Sequence, residues 1–210
     1  MLFVITAALA CDPGLLATFP APAAVPPAFK IVNTVASLGG VRHLGAHVAF
    51  RSASPVSAWA RMLAHPELQE EWHPKELGTE RVDRIEGTDF YQRTRITVLG
   101  AITIHRQIIA RIRWLKHTPA HLQTCWYAGD PATWPEKIAP LDDGSTWQRR
   151  GLGAWDISQL PDGGSLVSYQ VWMDADVVPP TVLTWALSRT VPTLLNAFDA
   201  RAAALHAAGE

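Results

Sequence analysis

Apolar and polar positions follow a regular order from about residue 29 to the end of the chain. This order predicts a short helix, a strand, a second helix with Ser54 as N-cap and Pro55 at its first position, six further strands and a long final helix. Consecutive strands joined by short turns are typical of an antiparallel sheet, so the predicted fold class is α+β. In chain order the predicted elements cover residues 29–38, 47–52, 54–63, 77–85, 88–99, 101–115, 119–128, 146–157, 165–175 and 179–208.

The strand predicted at 101–115 carries the most chemical information. Its even positions are apolar except for Arg106, and they share one face because side chains alternate along a strand. A guanidinium on such a face is costly unless it is paired. Three interpretations of Arg106 stay open: a structural ion pair, a contact with the polar group of a bound ligand, or a bulge near His105 that turns the side chain outward.

Two further elements each present an apolar face. Alternate positions of the strand at 165–175 are apolar, and the final helix has an apolar stripe at steps of three and four residues. Pro192 lies inside this helix and is expected to kink it. The pattern fits a packed core and the walls of a cavity equally well. The stripe consists of Leu183, Leu187, Val191, Leu194, Phe198, Ala202 and Leu205.

The first eleven residues suggest an export signal. The apolar run from Leu2 to Ala10 is too short to cross a bilayer but fits the core of a signal peptide. It ends at Cys11 and resembles a bacterial lipobox, whose cysteine is lipidated, although no Lys or Arg precedes it. The alternative is a buried or frayed N-terminal segment. Localisation therefore stays open between the cell envelope and the cytoplasm.

Residues 12–28 are rich in proline, which disfavours a regular helix and indicates a linker. The chain has 210 residues, enough for one domain with a sizeable core. The predicted organisation is a signal-like or lipobox-like segment at 1–11, a linker at 12–28 and a single domain at 29–210.

Composition removes several classes of function. Lys and Arg total 18 against 19 Asp and Glu, so there is no basic excess for a nucleic acid partner. Cys11 and Cys125 match no metal motif, and no pattern argues for a bridge between them. His43 and His47 are spaced as metal ligands on a helix would be, but the glutamate of a zinc motif is missing. No metal and no cofactor is expected. Nine Trp supply large apolar surfaces that need burial or a ligand.

Three segments, taken in order, resemble the START lipid-transfer family of the SRPBCC (helix-grip) superfamily. The first joins the helix at Ser54 to Glu70-Glu71-Trp72-His73-Pro74, similar to the family's opening helix and W-x-P segment. The second, His105-Arg106-Gln107-Ile108-Ile109, is similar to the family's R-D-F-V strand. The third runs from Gly153-Ala154-Trp155-Asp156-Ile157 to Val178-Pro179-Pro180, similar to its last two strands and the start of its C-terminal helix. The resemblance covers residues 47–208.

The resemblance implies a helix-grip fold, in which a curved antiparallel sheet wraps around a long C-terminal helix and encloses a cavity for one lipid. The apolar faces would line this cavity, and the C-terminal helix with a nearby loop would gate it. Gln107 stands where the family usually has Asp, and residues 90–99 carry no carboxylate, so a sterol-specific acid–arginine contact is not expected. The predicted ligand-binding residues are Ile104, Arg106, Ile108, Ala110, Ile112, Trp114, Val167, Tyr169, Val171, Met173, Leu183, Leu187, Val191 and Leu194.

The leading functional hypothesis is a non-enzymatic protein that binds, and in a further step transfers, a lipid or another apolar small molecule, with contact to a membrane surface. The alternative is a polyketide cyclase or aromatase-like enzyme of the same superfamily. No catalytic residue is assigned, because the inward positions offer only Arg106 and the Tyr169 hydroxyl. A third hypothesis is a regulatory or assembly domain with a collapsed cavity. Trp72 is expected to anchor the loop after the first helix to the sheet, and the oligomeric state stays open.

Overall fold

The computed structural model describes residue 11 and residues 30–38, 41–74, 78–98, 102–129, 146–148, 151–174 and 180–209. Within these ranges the chain forms nine strands, two α-helices separated by a short 3-10 turn, and a long C-terminal helix. The elements are β1 (Lys30–Leu38), β2 (Val41–Ser52), α1 (Val56–Ala64), the 3-10 turn (Pro66–Leu68), α2 (Gln69–Trp72), β3 (Thr79–Glu86), β4 (Asp89–Val98), β5 (Ile102–Thr118), β6 (His121–Ala128), β7 (Thr146–Trp147), β8 (Gly151–Gln159), β9 (Ser165–Asp174) and α3 (Pro180–Ala207).

All these strands belong to one sheet with the order β1-β2-β9-β8-β6-β5-β4-β3. Neighbours along this path are antiparallel, and only the short β7 pairs parallel, with β5. Hairpins join β3 to β4 and β5 to β6, and at the first of these Gly87 has a positive φ of 54° that suits the turn predicted there. The antiparallel curved sheet with its long C-terminal helix confirms the predicted α+β helix-grip fold.

The helix predicted at 29–38 is wrong, because residues 30–38 form strand β1 and pair with β2. Ile31, Val32 and Val35 are β-branched and lose less freedom in a strand than in a helix. The next strand begins at Val41 rather than at His47. Gly45 interrupts its apolar pattern, because the ring of Trp172 on the neighbouring strand lies where a Cβ would be.

Smaller differences concern the ends of elements. The first helix was expected to have Ser54 as its cap, but Pro55 occupies the cap position and makes no side-chain capping hydrogen bond. The single strand expected at 146–157 is split into β7 and β8. The remaining predicted strands and the long final helix lie close to the expected positions, and Pro192 is inside α3.

The hydrophobic core lies between helices α1 and α3 and the inner face of β2, β6, β8 and β9. Ser52 ties these parts together through its hydroxyl. It donates to Asp199 on α3 at 2.5 Å and accepts from the indole N–H of Trp59 on α1 at 3.4 Å. The C-terminal half of α3 is thereby held against both the sheet and α1. The fully buried core side chains include Val48, Trp59, Leu122, Ile157, Val167, Leu195 and Ala202.

Cys11 and Cys125 form a disulfide on the outer face of the sheet, with their Cα atoms 5.7 Å apart. The sequence offered no argument for this bridge. Cys125 is completely buried and packs with Cys11 and Ala154. One sulfur cannot hold both a disulfide and a lipid thioether, so the bridge and the lipidation of Cys11 exclude each other. The export signal and the linker fall on residues 1–10 and 12–28, which lie outside the described residues and leave both as predictions.

Candidate ligand-binding cavity

A cavity of about 260 Å³ lies between helix α3 and the inner face of the sheet. This volume is close to the lower end of the range for small-molecule sites, roughly 300–1,000 Å³. Strands β4, β5, β6, β8 and β9 form one wall, and α1, the turn after it, α2 and α3 form the other. The residues around the cavity are Leu63, Pro66, Gln69, His73, Phe90, Gln92, Thr94, Ile108, Ala110, Ile112, Trp126, Trp155, Tyr169, Thr190, Leu194 and Phe198.

Five residues of the predicted site contact this cavity. Three of them, Ile108, Ala110 and Ile112, lie on one face of β5, as the strand alternation requires. Tyr169 comes from β9 and Leu194 from α3. The structure therefore brings the middle of the predicted strand face together with two positions of the helix stripe, Leu194 and Phe198.

Five other predicted residues lie in the packed hydrophobic core or at its edge. Val167 and Val171 on β9, and Leu187 and Val191 on α3, are buried in the core between sheet and helices. Met173 packs against the edge of that core and accepts a hydrogen bond from Gln148 at 3.0 Å.

The predicted residues Ile104 and Trp114 belong to strand β5, and Leu183 belongs to helix α3. Trp114 donates to the Thr88 hydroxyl at 3.3 Å and stacks on His117. The side chains of Ile104 and Leu183 are outside the described part of the structure.

Arg106 is half-buried and lies on the same face of β5 as Ile108. On the neighbouring strand β4 the residue directly opposite is Thr94. It is not among the residues that contact the cavity, so a ligand contact for Arg106 stays a prediction. Asp156, one of the carboxylates that could have paired with it, bonds His121 and Gln123 instead. Because Trp155 faces the cavity, the next residue, Asp156, projects from the opposite face of the sheet.

Aromatic rings form one wall of the cavity. The rings of Trp155 and Tyr169 are 4.3 Å apart, and those of Trp155 and Phe198 are 5.2 Å apart. Burial raises the pKa of Tyr169, and a hydrogen bond from Trp126 acts in the opposite direction. The Trp126 indole lies over Gly153, at the place where any Cβ would be. Glycine at this position lets the indole lie against the sheet and leaves the cavity open.

A polar cluster lies at the α2 and β4 side of the cavity. Nδ1 of His73 is 2.8 Å from the hydroxyl oxygen of Thr79, and this oxygen accepts a hydrogen bond from the Gln92 amide at 3.3 Å. The backbone N–H of His73 donates to the carbonyl oxygen of Gln69 at 2.7 Å. Burial lowers the pKa of His73 to about 4, so the ring is neutral near pH 7.

Most residues of this cluster and of the aromatic wall were not among the predicted ligand-binding residues. A usable signal existed in β4, because Phe90, Gln92 and Thr94 occupy alternate positions and therefore share a face. His73 lies after a short helical turn, where periodicity gives no direction for a side chain. Its place at the cavity depends on how α2 packs against β3.

Trp72 packs against the hydrophobic core and contacts the C-terminal helix. It is half-buried, and its ring meets Phe198 edge-on with the centroids 4.8 Å apart. Phe198 contacts the cavity, whereas Trp72 contacts a smaller surface groove on its other side. Trp72 and Phe198 together therefore separate the cavity from this groove.

The described surroundings of the cavity carry no formal charge. Among the described residues around it, none is Asp, Glu, Lys or Arg. Within the same part of the chain, His, Cys, Asp and Glu side chains form no group that could hold a metal ion. No helix among the described residues is long and apolar enough to cross a membrane.

Comparison with known proteins gives a result at the level of structure alone. No family model and no curated protein matches the sequence. Human StAR-related lipid transfer protein 5 matches the structure with a TM-score of 0.64 and 11% identity, over 92% of this chain and 93% of its own. The fold is START-like. Human STARD10 matches with a TM-score of 0.58 and 12% identity, over 85% of this chain and 74% of its own.

A bacterial structure extends the comparison. The STAR-related lipid transfer protein of Xanthomonas axonopodis has a TM-score of 0.56 and 14% identity, over 83% of this chain and 98% of its own. At such identities the likeness establishes the START-like fold and assigns no ligand to the chain.

Proposed function

We propose that this protein binds a lipid or another apolar small molecule in the cavity between the sheet and helix α3. The observation that carries the proposal is the character of the cavity wall, which is apolar and aromatic and has no charged side chain among its described residues. Such a wall gains free energy when an apolar ligand replaces water. The structures with the same fold include proteins named as lipid transfer proteins, which supports this proposal.

Transfer of the ligand between membranes is a finer proposal, and it depends on helix α3. This helix supplies Thr190, Leu194 and Phe198 to the cavity wall, so its movement would open a path for the ligand. Its C-terminal half is tied to the sheet by the hydrogen bond between Ser52 and Asp199. We therefore place the opening at the N-terminal half of α3 and expect that part to contact a membrane surface.

The enzymatic alternative receives less support from the titratable groups of the cavity. Burial lowers the pKa of His73 to about 4 and raises that of Tyr169. A general acid or base works best when its pKa lies near the working pH, and both shifts lead away from it. We therefore favour binding over a cyclase or aromatase reaction.

The test is to fill the cavity and look for loss of the ligand. Ala110 is buried at the cavity wall, and Ala110→Trp adds an indole there. Ala203→Trp makes the same change on an exposed position of α3 and serves as the control. Native mass spectrometry of each purified protein, followed by extraction and identification of lipids, measures what is bound.

The expected result is a co-purified apolar molecule in the unaltered protein and in Ala203→Trp, and its loss from a folded Ala110→Trp. Thermal melting confirms that the variant is folded. An unaltered protein that binds neither co-purified lipid nor an added neutral dye such as Nile red would contradict the proposal.

A further inference from the structure

Four polar side chains of the cavity are gathered at one end. We call Gln69, His73, Gln92 and Thr94 the polar pole. Helix α2 and the residue after it bring Gln69 and His73 one turn apart, and β4 presents Gln92 and Thr94 on one face. All four contact the cavity.

The other polar groups of the cavity already have protein partners. The Thr190 hydroxyl donates to the carbonyl oxygen of Ala186 within its own helix at 2.8 Å. The Tyr169 hydroxyl accepts a hydrogen bond from the Trp126 indole, which can only donate, and keeps its own hydrogen. The aromatic wall therefore offers one hydroxyl, whereas four polar side chains lie together at the polar pole.

The hydrogen bond to Thr79 engages Nδ1 of His73, and we assign Nε2 to the ligand. Nδ1 is 2.8 Å from the Thr79 hydroxyl oxygen, which also accepts from the Gln92 amide. Because a hydroxyl has one hydrogen and two lone pairs, Nδ1 either accepts from Thr79 or donates to it, and Nε2 of the neutral ring is then the donor or the acceptor, respectively. A ligand hydroxyl can both donate and accept, so it fits Nε2 in either case.

The absence of charged side chains among the described residues at this end of the cavity favours a neutral ligand group over an ionised one. The His73 ring is neutral near pH 7, and the described wall has no cation to pair with an anion. An ionised ligand group buried here would lose its hydration without gaining an opposite charge, and this loss is expensive. A neutral hydroxyl loses less hydration and gains the hydrogen bond with Nε2.

We propose that the ligand is an uncharged molecule whose single hydroxyl group is hydrogen-bonded to Nε2 of His73, with its hydrocarbon part against Trp126, Trp155 and Phe198. The proposal rests on the proposed function and adds the class of ligand. A volume of about 260 Å³ suits one short hydrocarbon chain or a compact ring system better than a lipid with two long chains.

Four probes with the same ten-carbon chain separate the head groups. Isothermal titration calorimetry near pH 7 compares 1-decanol, methyl decanoate, decanoate and decyltrimethylammonium. The two neutral probes are expected to bind at least about tenfold more tightly than either ion, because burying an unpaired charge costs more than one hydrogen bond returns. Nile red, which is neutral and needs no specific head-group contact, reports separately whether the cavity binds apolar molecules at all.

Variants of the pole assign the effect to His73. In His73→Phe an aromatic ring remains but both ring nitrogens are lost, so 1-decanol should bind about tenfold more weakly while Nile red still binds. His73→Gln restores a side chain that can donate and accept a hydrogen bond, and it should recover part of the affinity. Thr79→Val removes the group that holds Nδ1 and should weaken 1-decanol binding several-fold. His206→Phe makes the same substitution on an exposed part of α3 and is the matched control.

The outcomes separate the two proposals. If Nile red does not bind the unaltered protein, the proposed function fails. If Nile red binds but decanoate binds as tightly as 1-decanol, or more tightly, the neutral class is wrong and Arg106 becomes the candidate contact. Unchanged 1-decanol affinity in both His73→Phe and Thr79→Val also overturns the inference, and Thr79→Val decides alone if His73→Phe does not fold.

Discussion

Two halves of the same sheet face differ in what lies opposite them. On the packed half, formed by β2, β8 and β9, side chains such as Val48 and Val167 are fully buried against helices α1 and α3. On the open half, formed by β4 and β5, Gln92 and Ile108 face the cavity and are only partly buried. The strands of both halves alternate in the same way. The element that packs over a sheet face therefore decides whether that face is covered. On the packed half this element is chiefly helix α1, whose Trp59 lies in the core.

The largest effect is expected on the packed half, from Trp59→Ala. Trp59 has no exposed surface, and its ring lies 6.1 Å from that of Phe50 and 5.8 Å from that of Trp155. Removing it leaves a large void and removes one of the two hydrogen bonds that the Ser52 oxygen accepts, so the free energy of unfolding should fall by about 3–5 kcal/mol. Urea denaturation monitored by circular dichroism measures this loss.

The matched change on the open half is Ile108→Ala. Because part of this side chain already faces the cavity, its removal should lower the free energy of unfolding by only about 1 kcal/mol and mainly enlarge the cavity. Losses of equal size in the two variants would show that the open half is packed in solution, and the comparison would then fail.

The disulfide stabilises the sheet from its outer face and belongs to neither half. Cys125→Ser should lower the free energy of unfolding by about 2–4 kcal/mol, because the bridge joins positions 114 residues apart. Ligand affinity should not change, since the bridge does not contact the cavity. Urea melts with and without reductant, and peptide mapping without reduction, measure the two parts of this prediction.

The same mapping decides between the two fates of Cys11. Disulfides of this kind form in oxidising compartments, which agrees with the predicted export signal. A disulfide-linked pair of peptides, one with Cys11 and one with Cys125, supports the bridge. A diacylglyceryl group on Cys11 would rule the bridge out, and Cys125 would then carry a free thiol.

A further effect on the open half is the pH dependence that His73 gives to its stability. Its pKa is 6.5 in the unfolded chain and about 4 in the folded protein, so the unfolded chain takes up the proton first as pH falls. The stability that depends on the neutral ring is therefore complete above pH 6.5 and is lost as pH falls toward 4. Between pH 7 and pH 5 the expected loss is about 1–2 kcal/mol, reduced from the full linkage value because the ring is incompletely buried.

The comparison with His73→Phe isolates this contribution, because other groups also titrate. Burial lowers the pKa of His47 on β2 as well, so part of the pH slope belongs to the packed half. His73 contacts the hydroxyl of Thr79, which does not titrate, and Tyr169 at the same cavity has a raised pKa that keeps it neutral. If urea melts give identical slopes for the two proteins, His73 does not titrate as inferred.

Sequence reasoning found the fold because the sheet signals are local. Alternation in β5 and β9 and the stripe of α3 needed no knowledge of their partners, and the order of elements then indicated a helix-grip fold. The N-terminal strand β1 was missed for a related reason. Ile31, Val32 and Val35 form too short an apolar run to distinguish a strand from a helix, and only pairing with β2 decides between them.

The candidate site was less predictable because a cavity is a property of the space between elements. The stripe of α3 contributed Leu194 and Phe198 to the cavity, whereas Val191 and Leu187, one and two turns before Leu194, packed into the core. No pattern on the helix itself separates these positions. The polar residue His73 depends on the packing of a four-residue helix, which leaves even less trace in the sequence.

Gly153 has a consequence for any attempt to engineer the size of the ligand. A methyl group added there would collide with the Trp126 indole and come within 2.6 Å of the carbonyl oxygen of Gln170. The first neighbour is a movable side chain, but the second is backbone and cannot give way. A larger residue at position 153 would therefore distort the sheet as well as reduce the cavity volume. Because glycine has no side chain, no substitution there can enlarge the cavity. On this wall, room for a longer ligand is gained by shortening a neighbouring side chain such as Trp126.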